Sequence, residues 1–460
     1  MKMRLSFYGQ ASTQPSPVSR LMADFAHDFR DGIDINLGVG YVNEKTIPVP
    51  ELTGALEAVS RDGMKYRQAF NYGSPAGSAN LVASIRQFLA NQRIGQLDVA
   101  TIAKKRIAIG ACGATSILDA LSDVLAPGIV VTSDPMYYIY SNALERKGFQ
   151  VLSIPEDSEG IELGALERKL NALGPDAERI SFFYVVTVNN PSCTVLSNRR
   201  RRALYDVVAA LSRKQNRLIP IFYDLAYELL LHDPAAEPFR SVLPDDELGI
   251  VYEIGTLSKV LSPALRIGYL MGPDGPFFNA MTESTSDTGF SAPLFVQEMS
   301  SYLLDHCISE QLKSVNAGYR EKAVAVRDAI ARTIGPYLEE RRGGSAGFYY
   351  YLTFRDIETH ASSPFFKFLT RTTGDPSIDF DQKTGAAPFP QGGCAVKKPR
   401  VIYIPGNLCV HPKGDLAEVG KRQLRLSYGF EDVPQMERAL ELMREAAEYA
   451  LSFVARAAAH

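Results

Sequence analysis

Two hydrophobic rhythms alternate along most of this chain. Short apolar runs at 107–109, 129–131, 151–153, 182–188, 218–223, 251–254 and 268–271 predict seven strands. Between several of them lie stretches with helical spacing, such as 115–125 and 199–215. Alternation of this kind predicts a mostly parallel seven-stranded sheet with helices on both faces, an α/β architecture. Upstream, Ser16 and Pro17 open a short capped helix carrying Val18, Leu21, Met22 and Phe25. An apolar, glycine-containing stretch at 33–42 suits a strand and a tight loop, and 52–59 and 81–89 read as helices. Downstream, 292–330 reads as a broken helix whose long member links two domains. The stretches 347–354 and 423–428 read as strands of an α+β domain. In the last helix Met436, Leu440, Met443, Ala447, Leu451 and Val454 form one stripe, which is core packing. Residues 372–399 are rich in Gly, Pro and Asp without periodicity and predict a long loop, either surface decoration or an active-site lid.

At 460 residues the chain exceeds what one small core requires. The pattern divides it into an amino-terminal segment (1–49) that joins a smaller domain, a large domain (50–330) and a carboxy-terminal small domain (331–460). Lys and Arg total 49 against 52 acidic residues, a formal charge of -3, which gives no general attraction to nucleic acid or to an anionic membrane. Five scattered cysteines form no CxxC pair, and the six histidines are isolated, so neither a disulfide framework nor a metal site is expected. Early charges at Asp24, Asp28 and Arg30 interrupt any signal-peptide core, and no apolar run approaches the length of a membrane span. The expectation is a cytoplasmic protein.

The candidate chemistry gathers at the ends of the apolar runs. Lys259 lies in Gly255-Thr256-Leu257-Ser258-Lys259, among small hydroxyl residues, and Arg266 follows seven positions later with a guanidinium suited to an anion. Gly113-Ala114-Thr115 opens the helix at 115–125, either as a simple cap or as an anion site made of free backbone N–H groups. Asp224 ends the run at 219–223, either as a turn or cap residue or as a carboxylate emerging at the carboxyl edge of the sheet, where α/β sheets bind ligands. Arg425 stands between Leu424 and Leu426, and periodicity alone leaves open whether it faces solvent.

With Asn190-Pro191-Ser192 and Asp224-Leu225-Ala226-Tyr227, these residues resemble, in order and across most of the chain, the pyridoxal 5'-phosphate (PLP) enzymes of the aspartate-aminotransferase superfamily, fold type I. The resemblance implies a Schiff base on Lys259, which then moves protons, and Asp224 against the pyridine nitrogen. It implies Asn190 and Tyr227 at the ring 3'-oxygen, and Tyr137 as the stacking aromatic in preference to Tyr138 or Tyr140. The phosphate would be held by Gly113, Ala114, Thr115, Thr256, Ser258 and Arg266, with Tyr72 reaching it across the interface of a homodimer. Arg425 and a backbone N–H of Gly38 would meet the substrate α-carboxylate. Segments such as Leu5-Ser6-Phe7-Tyr8-Gly9 and Ser19-Arg20-Leu21-Met22 resemble more narrowly the valine–pyruvate aminotransferase group.

The resemblance implies transamination between an amino acid and a 2-oxo acid through a pyridoxamine phosphate form. Elimination, cyclisation or oxidation of an amino acid uses the same groups, and a non-catalytic ligand-binding relative is the alternative of another class. Two departures stand out. Cys193 occupies the position where the family motif has glycine, as a small hydrophobe or as a sign of altered loop geometry, and Gly40-Tyr41-Val42 replaces a Gly-x-Pro.

Overall fold

All seven apolar runs are strands, because each sets β-branched and aromatic residues in a short stretch bounded by turn formers. The computed structural model describes residues 3–381 and 397–458. It joins the strands in one sheet of eight, in the order Arg106–Ile109, Gly268–Gly272, Val251–Thr256, Ile221–Asp224, Ile180–Val186, Ile129–Asp134, Gln150–Asp157 and Gly160–Ile161. From Val251–Thr256 to Gln150–Asp157 all neighbours are parallel, and Gly268–Gly272 is antiparallel to both of its neighbours. The added eighth strand is a two-residue return that pairs Glu156 with Ile161 at the sheet edge, too short to carry a period of its own.

Helices cover both faces. Side chains alternate along a strand, so Phe222 and Tyr223 point to opposite sides. Phe222 packs on Phe277 of the helix Pro276–Asp287, with ring centroids 5.8 Å apart. Tyr223 donates its hydroxyl to the Arg201 carbonyl in the helix Asn198–Lys214 at 2.9 Å. The core on the first side also takes Ile117, Leu118 and Leu121 from the helix Gly113–Val124, and Tyr140 and Leu144 from Tyr138–Arg146.

The chain forms two compact units. The larger comprises Met1–Gln14, Val42–Arg320 and Ser345–Gly347 and contains the eight-stranded sheet. The smaller comprises Pro15–Tyr41, Glu321–Gly344 and Phe348–His460. Its four-stranded antiparallel sheet runs Leu338–Gly343, Tyr349–Phe354, Gln423–Ser427 and Ile404–Pro405, and Ile35–Asn36 pairs with Val401–Ile402. The expected break in 292–330 falls at Cys307, between the helices Leu294–His306 and Ile308–Thr333. Met436, Leu440, Met443 and Ala447 are buried in the last helix, Val433–Ala458, whereas the side chain of Val454 lies outside the described residues. Within the expected loop 372–399, Pro376–Asp379 is a short helix and Phe380 bridges Lys397; residues 382–396 lie outside the described residues.

Candidate active site

Ala114, Thr115, Tyr137, Asn190, Asp224, Tyr227, Thr256, Ser258, Lys259 and Arg266 line one cleft in the larger unit. Strand direction explains the convergence. Val186, Asp224 and Thr256 are the last residues of three consecutive parallel strands, so the loops after them open on the same carboxyl edge.

Asp224 is 4% exposed, and each of its carboxylate oxygens receives a hydrogen bond. The Tyr184 hydroxyl donates to Oδ2 at 2.6 Å and the Ala226 N–H to Oδ1 at 2.9 Å. Burial pushes the carboxyl above its ordinary pKa, against the pull of Tyr184, Ala226 and the Lys259 ammonium. Lys259 follows the strand Val251–Thr256 in a tight turn, half-buried, with Nζ 5.4 Å from the centre of the Tyr227 ring.

The opposite end of the cleft is built for an anion. The helix Gly113–Val124 begins without a side-chain cap, and Gly113 has φ +65°. A Cβ at Gly113 would lie 2.6 Å from the Arg266 guanidinium, and one at Gly268 would strike the Ala114 amide, so both glycines keep the helix start and the arginine close. Arg266 takes a left-handed conformation, and its carbonyl accepts from the Gly113 N–H at 2.6 Å. Thr256 Oγ1 lies 3.1 Å from Ser258 Oγ and accepts from the Ser258 N–H, which orders the hydroxyl pair. Tyr137 precedes the helix Tyr138–Arg146 and lines the cleft; Tyr138 and Tyr140 are buried in packing and do not line it.

Asn190 is 6% exposed and sits in a loop held by its neighbour: Asn189 Nδ2 donates to Glu156 at 2.8 Å and to the Pro135 carbonyl at 2.9 Å. Cys193 lies in the left-handed region at φ +50° and is buried. Its Sγ lies 2.7 Å from where a Cβ on Gly347 would stand. Cys193, which stands where the family motif has glycine, thus holds a conformation that strains a residue with a side chain.

Arg425 belongs to the smaller unit. It is 2% exposed, which removes the solvent-facing reading. Its guanidinium lies 4.4 Å from the Tyr349 ring centre and donates to the Gly38 carbonyl. The Gly38 N–H donates to Asn36 Oδ1 at 3.1 Å, so the amide expected to reach a substrate is engaged within its own turn. Tyr72 is 82% exposed, packs on Phe290 and does not line the cleft of its own chain.

A layer of buried polar groups has no motif in the sequence to mark it. Tyr184 is one. On the other face of the sheet Arg201 grips Glu228 at 2.9 and 3.3 Å, and the Thr187 hydroxyl donates to Glu228 at 2.8 Å. Nearby Glu253 accepts from the Ser241 hydroxyl at 2.6 Å and is pushed up to about 7, first by burial and then by the Glu228 charge. The only sequence signal for these residues is their polarity within or beside apolar runs.

Residues 33–365 match the family aminotransferase class I and II. The chain belongs to this family. Among curated proteins it is 24% identical over 322 residues to the uncharacterized HTH-type transcriptional regulator YisV of Bacillus subtilis, covering 70% of this chain and 62% of that one. It is 25% identical over 324 residues to aromatic-amino-acid aminotransferase 1 of Thermococcus litoralis, covering 66% and 69%. The multiple substrate aminotransferase of Thermococcus profundus shares the fold, with a TM-score of 0.77 at 20% identity over 97% of this chain and 98% of that one. The family member is a fold type I enzyme and its cofactor is PLP.

The cleft fits that cofactor. A lysine, a buried carboxylate whose burial cost a cation would offset, and an arginine beside an uncapped helix start are the groups that an aldehyde, a pyridinium and a phosphate require. Among the described residues no group of three or more His, Cys, Asp and Glu could hold a metal, and no helix is long and apolar enough to cross a membrane.

Proposed function

We propose that this family member catalyses reversible transamination between an L-amino acid and a 2-oxo acid, with Lys259 as the covalent anchor and proton carrier. The observation that carries the reading is the meeting of Lys259, Asp224 and Arg266 in one cleft. Bound PLP supplies an aldehyde that captures amines and a ring that takes up the electron pair left when the α-proton departs. Lys259 Nζ would anchor the aldehyde and, when unbound, would serve as the base and acid that carries the α-proton of the substrate. Asp224 holds a proton on the ring nitrogen. Asn190 and Tyr227 serve the ring oxygen, and Tyr137 covers the ring face. Ala114, Thr115, Thr256, Ser258 and Arg266 would hold the phosphate through backbone N–H groups, hydroxyls and a guanidinium, while Gly113, whose N–H is taken by the Arg266 carbonyl, serves by leaving room for that guanidinium. Arg425, with the Gly38 segment, receives the α-carboxylate of donor and acceptor in turn. One site serving both halves makes the kinetics ping-pong.

The test is a spectrum of the holoenzyme titrated with a panel of amino acids, with ammonia and oxygen followed together. Conversion of the lysine-bound absorbance to that of the amine form, and its recovery with a 2-oxo acid, is the expected result. Ammonia release or oxygen uptake without that form moves the enzyme to elimination, cyclisation or oxidation. No response to any amino acid supports a ligand-binding role. Lys259→Ala should retain PLP non-covalently and lose roughly 10²- to 10⁴-fold or more in rate.

A homodimer with shared sites is supported by apolar side chains that the single chain leaves in water: Met64 is 94% exposed, Phe70 75% and Tyr72 82%. If Tyr72 serves its partner, Tyr72→Phe homodimers should be impaired and mixing them with Lys259→Ala subunits should restore one intact site per hybrid dimer; if each subunit works alone, Tyr72→Phe homodimers should keep parental activity. A cytoplasmic enzyme is the reading supported by five scattered cysteines without a CxxC pair.

A further inference from the structure

Tyr184 makes the shorter of the two hydrogen bonds to the Asp224 carboxylate, yet neither the apolar pattern nor the family likeness singles it out. We propose that Tyr184 is a positioning residue for the reaction: its hydroxyl fixes the Asp224 carboxylate and favours its ionised form, so that the proton shared with the cofactor stays on the ring nitrogen. This inference rests on the reading of Asp224 as the partner of that nitrogen.

The geometry comes from strand register. Val186 pairs with Asp224 and Tyr184 with Phe222 on neighbouring parallel strands, so Tyr184 and Asp224 point to the same face, one step apart along the sheet. From there the phenol reaches Oδ2 at 2.6 Å, the length of a charge-assisted hydrogen bond. An ionised carboxylate only accepts, so the phenol must donate, and a donor of this kind favours the charged carboxylate over the protonated one. Tyr184 keeps its proton, because burial and the neighbouring carboxylate push its own pKa well above the usual tyrosine range. Its ring cannot swing away: it is 2% exposed and packs edge-on against Tyr140, with centroids 4.8 Å apart at 71°. The Ala226 N–H holds Oδ1, so both oxygens are oriented while each retains a lone-pair direction for a further partner.

Burial alone would drive Asp224 toward its neutral form, in which it takes the proton from the ring nitrogen and weakens the ring as an electron sink. Tyr184 opposes that drift. Tyr140 supplies the internal control. It is buried beside Tyr184 and senses the Asp224 charge, but its hydroxyl has no hydrogen-bond partner among the described residues and so does not hold that carboxylate.

The experiment uses holoenzyme loaded with PLP carrying ¹⁵N in the ring. Tyr184→Phe, Tyr140→Phe and Asp224→Asn are compared by the ring-nitrogen chemical shift, kcat, KM and thermal midpoint. In Tyr184→Phe the nitrogen signal should move toward the unprotonated position and kcat should fall roughly 10- to 100-fold, the worth of one hydrogen bond to a charged group. KM for the amino acid should change by less than about threefold, because binding of the α-carboxylate is untouched. Tyr140→Phe should match the parent in signal and kcat. A Tyr184→Phe enzyme with parental nitrogen signal and kcat overturns the proposal, as does a kcat loss accompanied by an unchanged signal and a thermal midpoint lowered in proportion. Asp224→Asn separates the two levels. If it leaves the nitrogen protonated, the reading of Asp224 falls; if it deprotonates the nitrogen while Tyr184→Phe does not, only the role of Tyr184 falls.

Discussion

Asp224 and Glu253 are buried carboxyls on neighbouring strands, and burial raises both, yet they are equipped for opposite charge states. Asp224 stands at a strand end, where the turn supplies the Ala226 N–H, the next strand supplies Tyr184, and Lys259 brings a positive charge. Glu253 pairs in register with Tyr223 and therefore points to the opposite face, in mid-strand. There it finds one donor, Ser241, and the repelling charge of Glu228, and it is pushed up to about 7. Burial is common to the two; the supply of donors is not. Strand ends have loop N–H groups and mobile side chains at hand, and mid-strand positions have already committed their backbone to the ladder. A charged cofactor partner belongs at the edge for that reason.

The strongest way to disturb this contrast is through Glu228, which lies one residue after Tyr227 and sets the electrostatics on the Glu253 side. Arg201, fully buried, is neutralised by Glu228. Glu228→Gln leaves that guanidinium without its carboxylate and should lower the folding free energy by about 3–5 kcal/mol, read from urea midpoints. It also removes the repulsion on Glu253, whose carboxylate then becomes the nearest compensation for Arg201. Glu253→Gln should consequently stabilise the parent at pH 8 and destabilise the Glu228→Gln background. Additive effects of the two substitutions at pH 8 would show that the two carboxyls do not sense each other.

Glu253→Gln alone sharpens the comparison by pH. An unfolded glutamate titrates near roughly 4.3, and the folded one near about 7. Between those values the folded chain holds a proton that the unfolded chain has released, so this group's contribution to stability falls as pH rises through that window. Above about 7 the penalty is complete, on the order of 3 kcal/mol. Glutamine keeps an acceptor for Ser241 and never ionises. Its advantage over the parent should be slight near pH 4.5, grow from pH 5 to 7, and level off by pH 8. A difference that stays flat across that range would mean that Glu253 does not change charge there.

The same contrast explains what could be read from the sequence. Asp224, Thr256 and Lys259 were legible because each breaks or follows an apolar run, and a strand end is a one-dimensional signal. Arg266, Asn190 and Arg425 needed the family likeness, and burial then removed the solvent-facing option for Arg425. Tyr184 was not legible, because its meaning lies in the register between two strands 40 residues apart in the chain. Arg201 was hidden differently: in the run Arg199-Arg200-Arg201-Arg202 four like charges suggest a solvated helix face, yet Arg201 turns fully inward to Glu228. The eighth strand has two residues and no period. Contacts across strands and short returns are properties of the assembled sheet, whereas strand ends are properties of the chain.

The smallest expected effect lies on the edge side, in the loop that carries Asn190. Cys193 holds φ +50°, which costs a non-glycine residue roughly 1–2 kcal/mol. Its buried Sγ recovers part of that against Gly347. Glycine removes the strain but loses the sulfur and gains about 0.5–1 kcal/mol of unfolded-state freedom, so Cys193→Gly should fall within about 1 kcal/mol of the parent. Alanine loses the sulfur and keeps the strain. Cys193→Ala should therefore be less stable than Cys193→Gly, the reverse of the usual order of these two residues. Thermal midpoints of the two variants decide the matter: if alanine is the more stable, the left-handed turn carries no strain, and the glycine of the family motif serves backbone clearance in place of conformation.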